Sequence, residues 1–362
     1  MRDTRYKNKR NQKIHLMTGN EAIGEGAVCA GCEFYAGYPI TPQNELTAYM
    51  SYRMDQKKRV FIQPESELAA INMVFGAAVC GARAMTSSSS PGISLKQEGI
   101  SYIAGCRLPA VIVNVMRGGP GLGNIAPSQS DYFQATKGGG HGDYRMIVLA
   151  PSTVQEAFDL TLISFDLADK YRVPVMVLAD GMLGQMMEPV KLTPDSYKPK
   201  LVKKPWALTG ARGRKPQHIK SLYLKPGELE EFNWALQDIY KKIYINESRG
   251  ESLYCDDADL VIVAYGTTSR IARAAVKEQR KQNKKVGLFR PITLWPFPDK
   301  ALRAKTKRAK NVLTIEMSAG QMVEDVRLSL GPKKKASFYG RPGGSIPTEK
   351  DINQQIRKYL KK

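Results

Sequence analysis

VFIQPESELAAINMVFGAAVCGARAMTSSSSPGISLKQEGISYIAGCRLPAVIVNVMR, residues 60–117, decides the fold. Val60–Gln63 is short, β-rich and closed by Pro64, so it reads as a buried strand. A long apolar helix opens behind it at Ser66-Glu67, where a small hydroxyl residue followed by an acid signals a helix start. Ala84–Ser87 reads as the next strand, Ser94–Ala104 as a helix and Ala110–Met116 as a central strand. Strands alternating with helices predict a mostly parallel sheet covered on both faces.

Glu67 has unusual company. Leu68, Ala69, Ala70, Ile71, Met73, Val74, Phe75, Ala77, Ala78 and Val79 leave the helix almost no polar face, which predicts burial in a core or an interface. There the helix N-terminus favours the carboxylate anion, while removal from water raises its pKa. A Glu in a first turn also serves as a helix cap, and this stretch alone leaves both uses open.

Outward from it the alternation continues. Gly19-Asn20 opens a helix through Ala30, Phe34–Tyr38 reads as a strand and Pro42–Met54 as a helix. Met146–Ala150, Val154–Lys170 and Val173–Asp180 repeat strand, helix, strand. Pro189 to about Glu251 breaks the pattern with Pro, Lys and Gly, and carries one credible helix, Gly227–Tyr244. A second α/β unit begins at Asp259 with LVIVAYG and runs through a helix at Thr267–Gln282, a strand at Lys285–Phe289, a helix at Pro298–Ala309, a strand at Val312–Met317 and a helix at Ala319–Leu330. The expected class is α/β, with two doubly wound parallel-sheet domains. Its expected parts are a basic leader (1–13), a first α/β domain (14–190), a basic connector with one helix (191–250), a second α/β domain (251–345) and a basic tail (346–362).

The 362 residues carry a net charge of +21. Nearly all of it sits in three segments: six Lys/Arg against one Asp in 1–13, nine against one in 191–220, and nine against two acids in 331–362. Charge confined to a leader, a connector and a tail, without interleaved aromatics, suits solvated segments or an acidic protein partner better than a nucleic-acid groove. No nucleic-acid binding is expected. The sequence has no run of about 18 apolar residues and no signal-peptide core, so a cytoplasmic protein without membrane contact is expected. Five cysteines, mostly in apolar segments, suggest buried thiols in a reducing compartment. Cys29-Ala-Gly-Cys32 lacks the second ligand pair of a zinc site, and helix packing is its expected use over a redox pair.

Ligands of parallel α/β sheets bind beyond the carboxyl ends of the strands. The segments found there are Tyr38–Pro42, Glu65–Glu67, Thr86–Gly92 and Arg117–Gly123. Together they bring a hydroxyl on a Pro-stiffened turn, an acid, a hydroxyl-rich turn opening a helix and an Arg in a Gly-rich loop, which suits a small carboxylate substrate. Each has a plainer use: Thr41 as an N-cap, the serines as a turn, Arg117 as a partner for an acid such as Asp131. Their coincidence at four strand ends of one sheet argues for a site. In the second unit, Gly266-Thr267-Thr268 could hold an anion on backbone N–H groups or simply make a tight strand-to-helix turn.

These residues carry a resemblance. AGYPITPQNE, the SELAAI helix with GAAVCGARAMT, SSSSPGISLKQEG, NVMRGGPG and KGGGHGDYR resemble the pyrimidine-binding domain of thiamine-diphosphate-dependent 2-oxoacid:ferredoxin oxidoreductases. The unit from Asp259 resembles that family's transketolase C-terminal-like domain, so most of the chain is covered. Within the family the likeness is greatest to alpha subunits acting on branched-chain 2-oxoacids (2-ketoisovalerate), with the 2-oxoglutarate enzymes, which make succinyl-CoA, as near relatives.

The resemblance implies that Glu67 bonds N1′ of the thiamine aminopyrimidine and that Thr41 and Arg117 contact the substrate carboxylate. It further implies that Pro39, Ile40, Ser89 and Ser90 line the cofactor and that coenzyme A is the co-substrate. The family's metal motif, GDG with a downstream Asn, is missing; the nearest stretches are Ala179-Asp180-Gly181 and Gly142-Asp143-Tyr144. No ferredoxin-type cysteine run exists either. The pyrophosphate half-site with its Mg2+ is therefore expected on a beta subunit, and the iron–sulfur clusters on gamma and ferredoxin-like subunits, with ferredoxin as acceptor. A complete enzyme on this one chain is disfavoured by the missing metal motif. A non-catalytic assembly subunit is disfavoured by the joint presence of Glu67, Thr41 and Arg117.

Overall fold

A computed structural model describes residues 14–192, 199, 201–332 and 334–360. The basic leader lies outside the described residues. The first part of the chain runs β1 (Ile14–Thr18), α1 (Gly19–Cys29), β2 (Phe34–Ala36), α2 (Asn44–Gln56), β3 (Val60–Ile62), α3 (Glu67–Val79), β4 (Ala84–Ser88), α4 (Ser90–Gly105) and β5 (Ala110–Met116). It continues with α5 (Tyr132–Thr136), β6 (Ile147–Leu149), α6 (Val154–Tyr171), β7 (Pro174–Asp180), α7 (Gly181–Gln185) and β8 (Met187–Lys191). After the long connector come α8 (Glu228–Glu247), β9 (Gly250–Leu253), β10 (Leu260–Val263), α9 (Gly266–Lys281), β11 (Val286–Pro291) and β12 (Thr293–Trp295). The chain then forms α10 (Asp299–Lys305), β13 (Asn311–Glu316), α11 (Met322–Leu330), β14 (Ala336–Gly340) and α12 (Glu349–Leu360).

Among the described residues the first sheet has seven strands in the order β12-β6-β7-β5-β4-β2-β3. All its pairs are parallel except β12 on β6. Its central strands AVIVNVM and PVMVLAD are buried at every position, as befits parallel strands with helices on both faces. Chain order reverses between β2 and β4, which makes the crevice beyond their carboxyl ends the natural ligand site. A second sheet, β14-β13-β10-β11-β9, is parallel apart from β9. In β10, Leu260 and Ile262 face the core with α9 and α12, while Val261 and Val263 join the core shared with the first sheet.

Four features depart from the expectations. Helix α4 begins at Ser90 rather than Ser94, because Pro91 sits in its first turn, where a missing N–H costs nothing. Helix α8 runs on to Glu247, whose carboxylate is taken by Lys170, Tyr171 and Arg249. Strand β12 leaves the second unit and covers the open edge of β6, with Trp295 packed edge-on against Tyr240, so the two units are not separable at residue 251. The expected basic tail is largely α12: Ile352 and Ile356, one turn apart, are both fully buried.

Candidate active site

The loops beyond β2, β3, β4 and β5 converge. A buried hydrogen-bond network below them sets the first loop. Gln43 accepts from Ser87 Oγ (2.7 Å) and Thr47 Oγ1 (3.2 Å), while its Nε2 donates to the Tyr38 carbonyl. Tyr35 Oη lies 2.6 Å from Ser87 Oγ. Asn20 Nδ2 donates to the Pro42 carbonyl at 2.8 Å. These bonds hold Gly37–Pro42, with Pro39 exposed and Ile40 half-buried at the rim.

Glu67 is buried at the first position of α3. It is not the cap: Ser66 precedes it and accepts from Ala69 N with its own hydroxyl. The Glu67 carboxylate instead faces the first turn of α4. A Cβ placed on Gly92 would stand 2.5 Å from Glu67 Oε1 and 2.1 Å from Ser88 Oγ, so only glycine leaves this carboxylate its position. Ser88 Oγ and Ser89 Oγ are buried there without a partner among the described residues, and Ser89 caps α4 without a side-chain bond.

Ser90 serves differently from the expectation that it lines the cofactor. Its hydroxyl bridges to the Arg117 backbone, 3.0 Å from N and 3.2 Å from O. Arg117 is buried and donates from Nη1 to the Thr41 carbonyl and from Nη2 to the Leu122 carbonyl, both at 3.1 Å, leaving Nε buried and unpartnered. Its plainer expected partner, Asp131, accepts from Asn114. The half-buried Thr41 accepts from Asn44 Nδ2 on its hydroxyl. Arg117 and Thr41 are thus brought together, and Glu67 joins them through the Ser88–Gly92 turn.

The loop after Arg117 is tied to the second unit. Gly123 has a φ of +61°, and a Cβ there would meet the Gly118 carbonyl oxygen at 1.7 Å. Asn124 donates to the Gly343 carbonyl at 3.0 Å. The residues missed in the sequence are Gly92, Ser88, Gln43 and Lys96, whose Nζ donates to the Glu67 carbonyl at 3.3 Å. A lysine inside the apolar run Gly92–Leu95 and Gly99–Ala104 was the available signal for the last.

Neither sequence candidate for a metal motif faces this site. Asp180 is taken by Thr267, and Asp143 gives its carbonyl to Gln237. Among the described residues no three His, Cys, Asp or Glu side chains come together to hold a metal. Cys32 is fully buried, its thiol pushed up to about 12 by burial, which suits packing rather than redox chemistry. No helix among the described residues is long and apolar enough to cross a membrane.

Sheet, crevice and buried acid together define a thiamine-binding class of α/β fold. Residues 25–235 match the family described as pyruvate flavodoxin/ferredoxin oxidoreductase, thiamine diphosphate-binding, and residues 258–352 match pyruvate:ferredoxin oxidoreductase core domain II. The chain belongs to the 2-oxoacid:ferredoxin oxidoreductases and is an alpha-type subunit of such an enzyme.

It is 50% identical to the ketoisovalerate oxidoreductase subunit VorB of Methanothermobacter thermautotrophicus, covering 94% of this chain and 97% of that one. The 2-oxoglutarate synthase subunit KorA of Archaeoglobus fulgidus is 38% identical, over 91% and 95%. A solved 2-oxoglutarate:ferredoxin oxidoreductase from Magnetococcus marinus, with 2-oxoglutarate, coenzyme A and succinyl-CoA bound, superposes with a TM-score of 0.88 at 27% identity. That match covers 96% of this chain and 66% of the other. A split-gene transketolase, at a TM-score of 0.61 and 14% identity, shares the fold.

Proposed function

We propose that this chain is the alpha subunit of an enzyme that oxidatively decarboxylates 2-ketoisovalerate to its acyl-CoA, passing electrons to ferredoxin. The 50% identity to VorB favours the branched-chain substrate over 2-oxoglutarate. The site observation that carries the reading is Glu67, buried, relieved of capping by Ser66 and facing the Gly92 cradle. A flat ring carrying a basic nitrogen suits a carboxylate bordered by a glycine and two unpartnered hydroxyls. The residues present therefore fit the aminopyrimidine half of thiamine diphosphate.

Bound there, thiamine diphosphate supplies the carbon nucleophile and electron sink that decarboxylation requires. This chain's part is to hold and position. Glu67 exchanges a proton with N1′ of the ring. Ser89 and the Pro39-Ile40 rim flank the ring. Arg117, with Nε uncommitted, and Thr41 hold the substrate carboxylate beside it. The pyrophosphate and its Mg2+ are assigned to a beta subunit, iron–sulfur clusters to gamma and ferredoxin-like subunits, and coenzyme A is the acyl acceptor.

The test is coenzyme A-dependent reduction of a viologen dye by the assembled complex with 2-ketoisovalerate, 2-oxoglutarate or pyruvate, with Glu67→Gln alongside. Selective turnover of 2-ketoisovalerate that falls about 100-fold or more in Glu67→Gln supports the reading, general acid–base groups contributing about that much. Preference for 2-oxoglutarate overturns the substrate, and undiminished turnover in Glu67→Gln overturns the site.

A further inference from the structure

Lys96 sits in the middle of α4 and is fully buried, among the largest side chains so enclosed. Its ammonium carries three donors, yet its one acceptor among the described residues is the Glu67 carbonyl, at 3.3 Å. For packing alone an apolar side chain of the same length serves α4 better, since a buried charge without full compensation is costly. Burial pushes the Lys96 pKa down to about 7, opposed by the charge of Glu67.

Other titratable groups around the pair are committed elsewhere. Tyr35 on β2 bonds Ser87 and Thr47. Arg117 beyond β5 bonds the Thr41 and Leu122 carbonyls, and Asp131 accepts from Asn114. Glu98, half a turn along α4, accepts from Tyr102 at the surface, and Tyr144 donates to Gln97. None of these acts on Lys96; Glu67 does.

We propose that Lys96 is the positioning residue of Glu67: its buried ammonium pins the first turn of α3 by the Glu67 carbonyl and sets how readily the carboxylate of the same residue takes a proton. This rests on Glu67 being the acid at the aminopyrimidine. Protonated, Lys96 favours the Glu67 anion; neutral, it lets the carboxylate hold its proton to higher pH. The proton affinity of the site is then set from inside the core rather than by solvent.

The test compares wild type, Lys96→Met, Lys96→Arg and Glu67→Gln in the assembled enzyme. In Lys96→Met the acid limb of kcat/KM moves up by about one pH unit, the usual effect of removing a nearby opposite charge, and Lys96→Arg moves it less. Thiamine diphosphate affinity, measured by calorimetry across the same pH range, shows the same displaced limb. Folding supplies a readout independent of activity. With the folded pKa depressed, wild type carries the full cost of burying the charge below about 7 and loses it as pH rises toward 10.5. Lys96→Met therefore melts at or above wild type at pH 6, with a gain that fades toward pH 10.

An acid limb unmoved in both turnover and cofactor binding overturns the proposal. Should Lys96→Met fail to fold, Lys96→Gln, which keeps a donor for the Glu67 carbonyl without the charge, is read by the same criteria. Unimpaired Glu67→Gln would overturn the function proposed above. Loss of turnover in Glu67→Gln with an unmoved limb in Lys96→Met overturns the role of Lys96 alone.

Discussion

Asp180 at the end of β7 and Thr267 in the first turn of α9 close the gap between the two sheets. Thr267 Oγ1 donates to Asp180 Oδ1 at 2.8 Å and Thr267 N to Oδ2 at 3.3 Å. Met182 N and Leu183 N donate to the same carboxylate, which thereby caps α7. Burial raises the Asp180 pKa against the pull of these donors. The acid of Ala179-Asp180-Gly181 and the turn at Gly266–Thr268 are thus partners of each other, and the anion held by that turn is the chain's own. Asp180→Ala should cost about 3 kcal/mol and Thr267→Val about 1 kcal/mol. A double-mutant cycle followed by thermal unfolding checks this, and strictly additive losses would refute the coupling.

Gly92→Ala tests the cradle. The new Cβ competes with Glu67 Oε1 and Ser88 Oγ for the same space. The displaced carboxylate should lower kcat about 100-fold, the effect of a misplacement near 1 Å, with little change in melting temperature. Wild-type kcat in this variant would show that Glu67 need not stand where it does.

Arg117 and the loop above it should separate binding from turnover. Arg117→Ala removes the cation and should raise KM for the 2-oxoacid about 100-fold, the worth of a charged hydrogen bond. Asn124→Ala only loosens the tie to Gly343 and should raise KM about 10-fold, as loss of one neutral hydrogen bond does. Steady-state kinetics decide, and an unchanged KM in Arg117→Ala removes it from the substrate site.

Arg290 brackets Glu156 with Nη1 at 2.6 Å and Nη2 at 2.7 Å, and also reaches Glu251, joining β11 to α6 and β9. Burial pushes the Glu156 carboxyl up, but the Arg290 bonds and charge outweigh it and hold it below the usual 4.5. A depressed pKa stabilises the fold above the unfolded value and loses that stabilisation as pH falls through the folded one. Glu156→Gln should therefore cost about 2 kcal/mol at pH 7. Its gap to wild type should close below about pH 4.5, as seen by chemical unfolding at several pH values.

Ile356→Ala probes α12. Emptying that fully buried site should cost about 3 kcal/mol, far more than an exposed tail residue would. A change below about 0.5 kcal/mol, the range of surface substitutions, would return the segment to the status of a tail.

Much of this was legible in the chain. AVIVNVM and PVMVLAD read as central strands because parallel strands buried on both faces need unbroken apolar runs. Glu67, Thr41 and Arg117 were legible as a group because a parallel sheet places all its strand ends on one side. Lys96 and Gly92 were not, since a lysine in a helix is ordinarily solvated and a glycine after a proline ordinarily marks a turn. The start of α4 was misplaced for the same reason, Ser-Ser-Pro-Gly being good turn chemistry and an equally good first helical turn.

The sequence by itself determined the alternation of strands and helices, the side of the sheet on which chemistry collects and the residue types gathered there. Those follow from periodicity and local propensity, which act over a few neighbours. Only the tertiary structure decided which groups meet: Asp180 with Thr267, β12 with β6, α12 with α9, and Lys96 with Glu67. Each pairing joins positions remote in the chain, set by the path of the connections and by which buried polar groups must satisfy one another away from water.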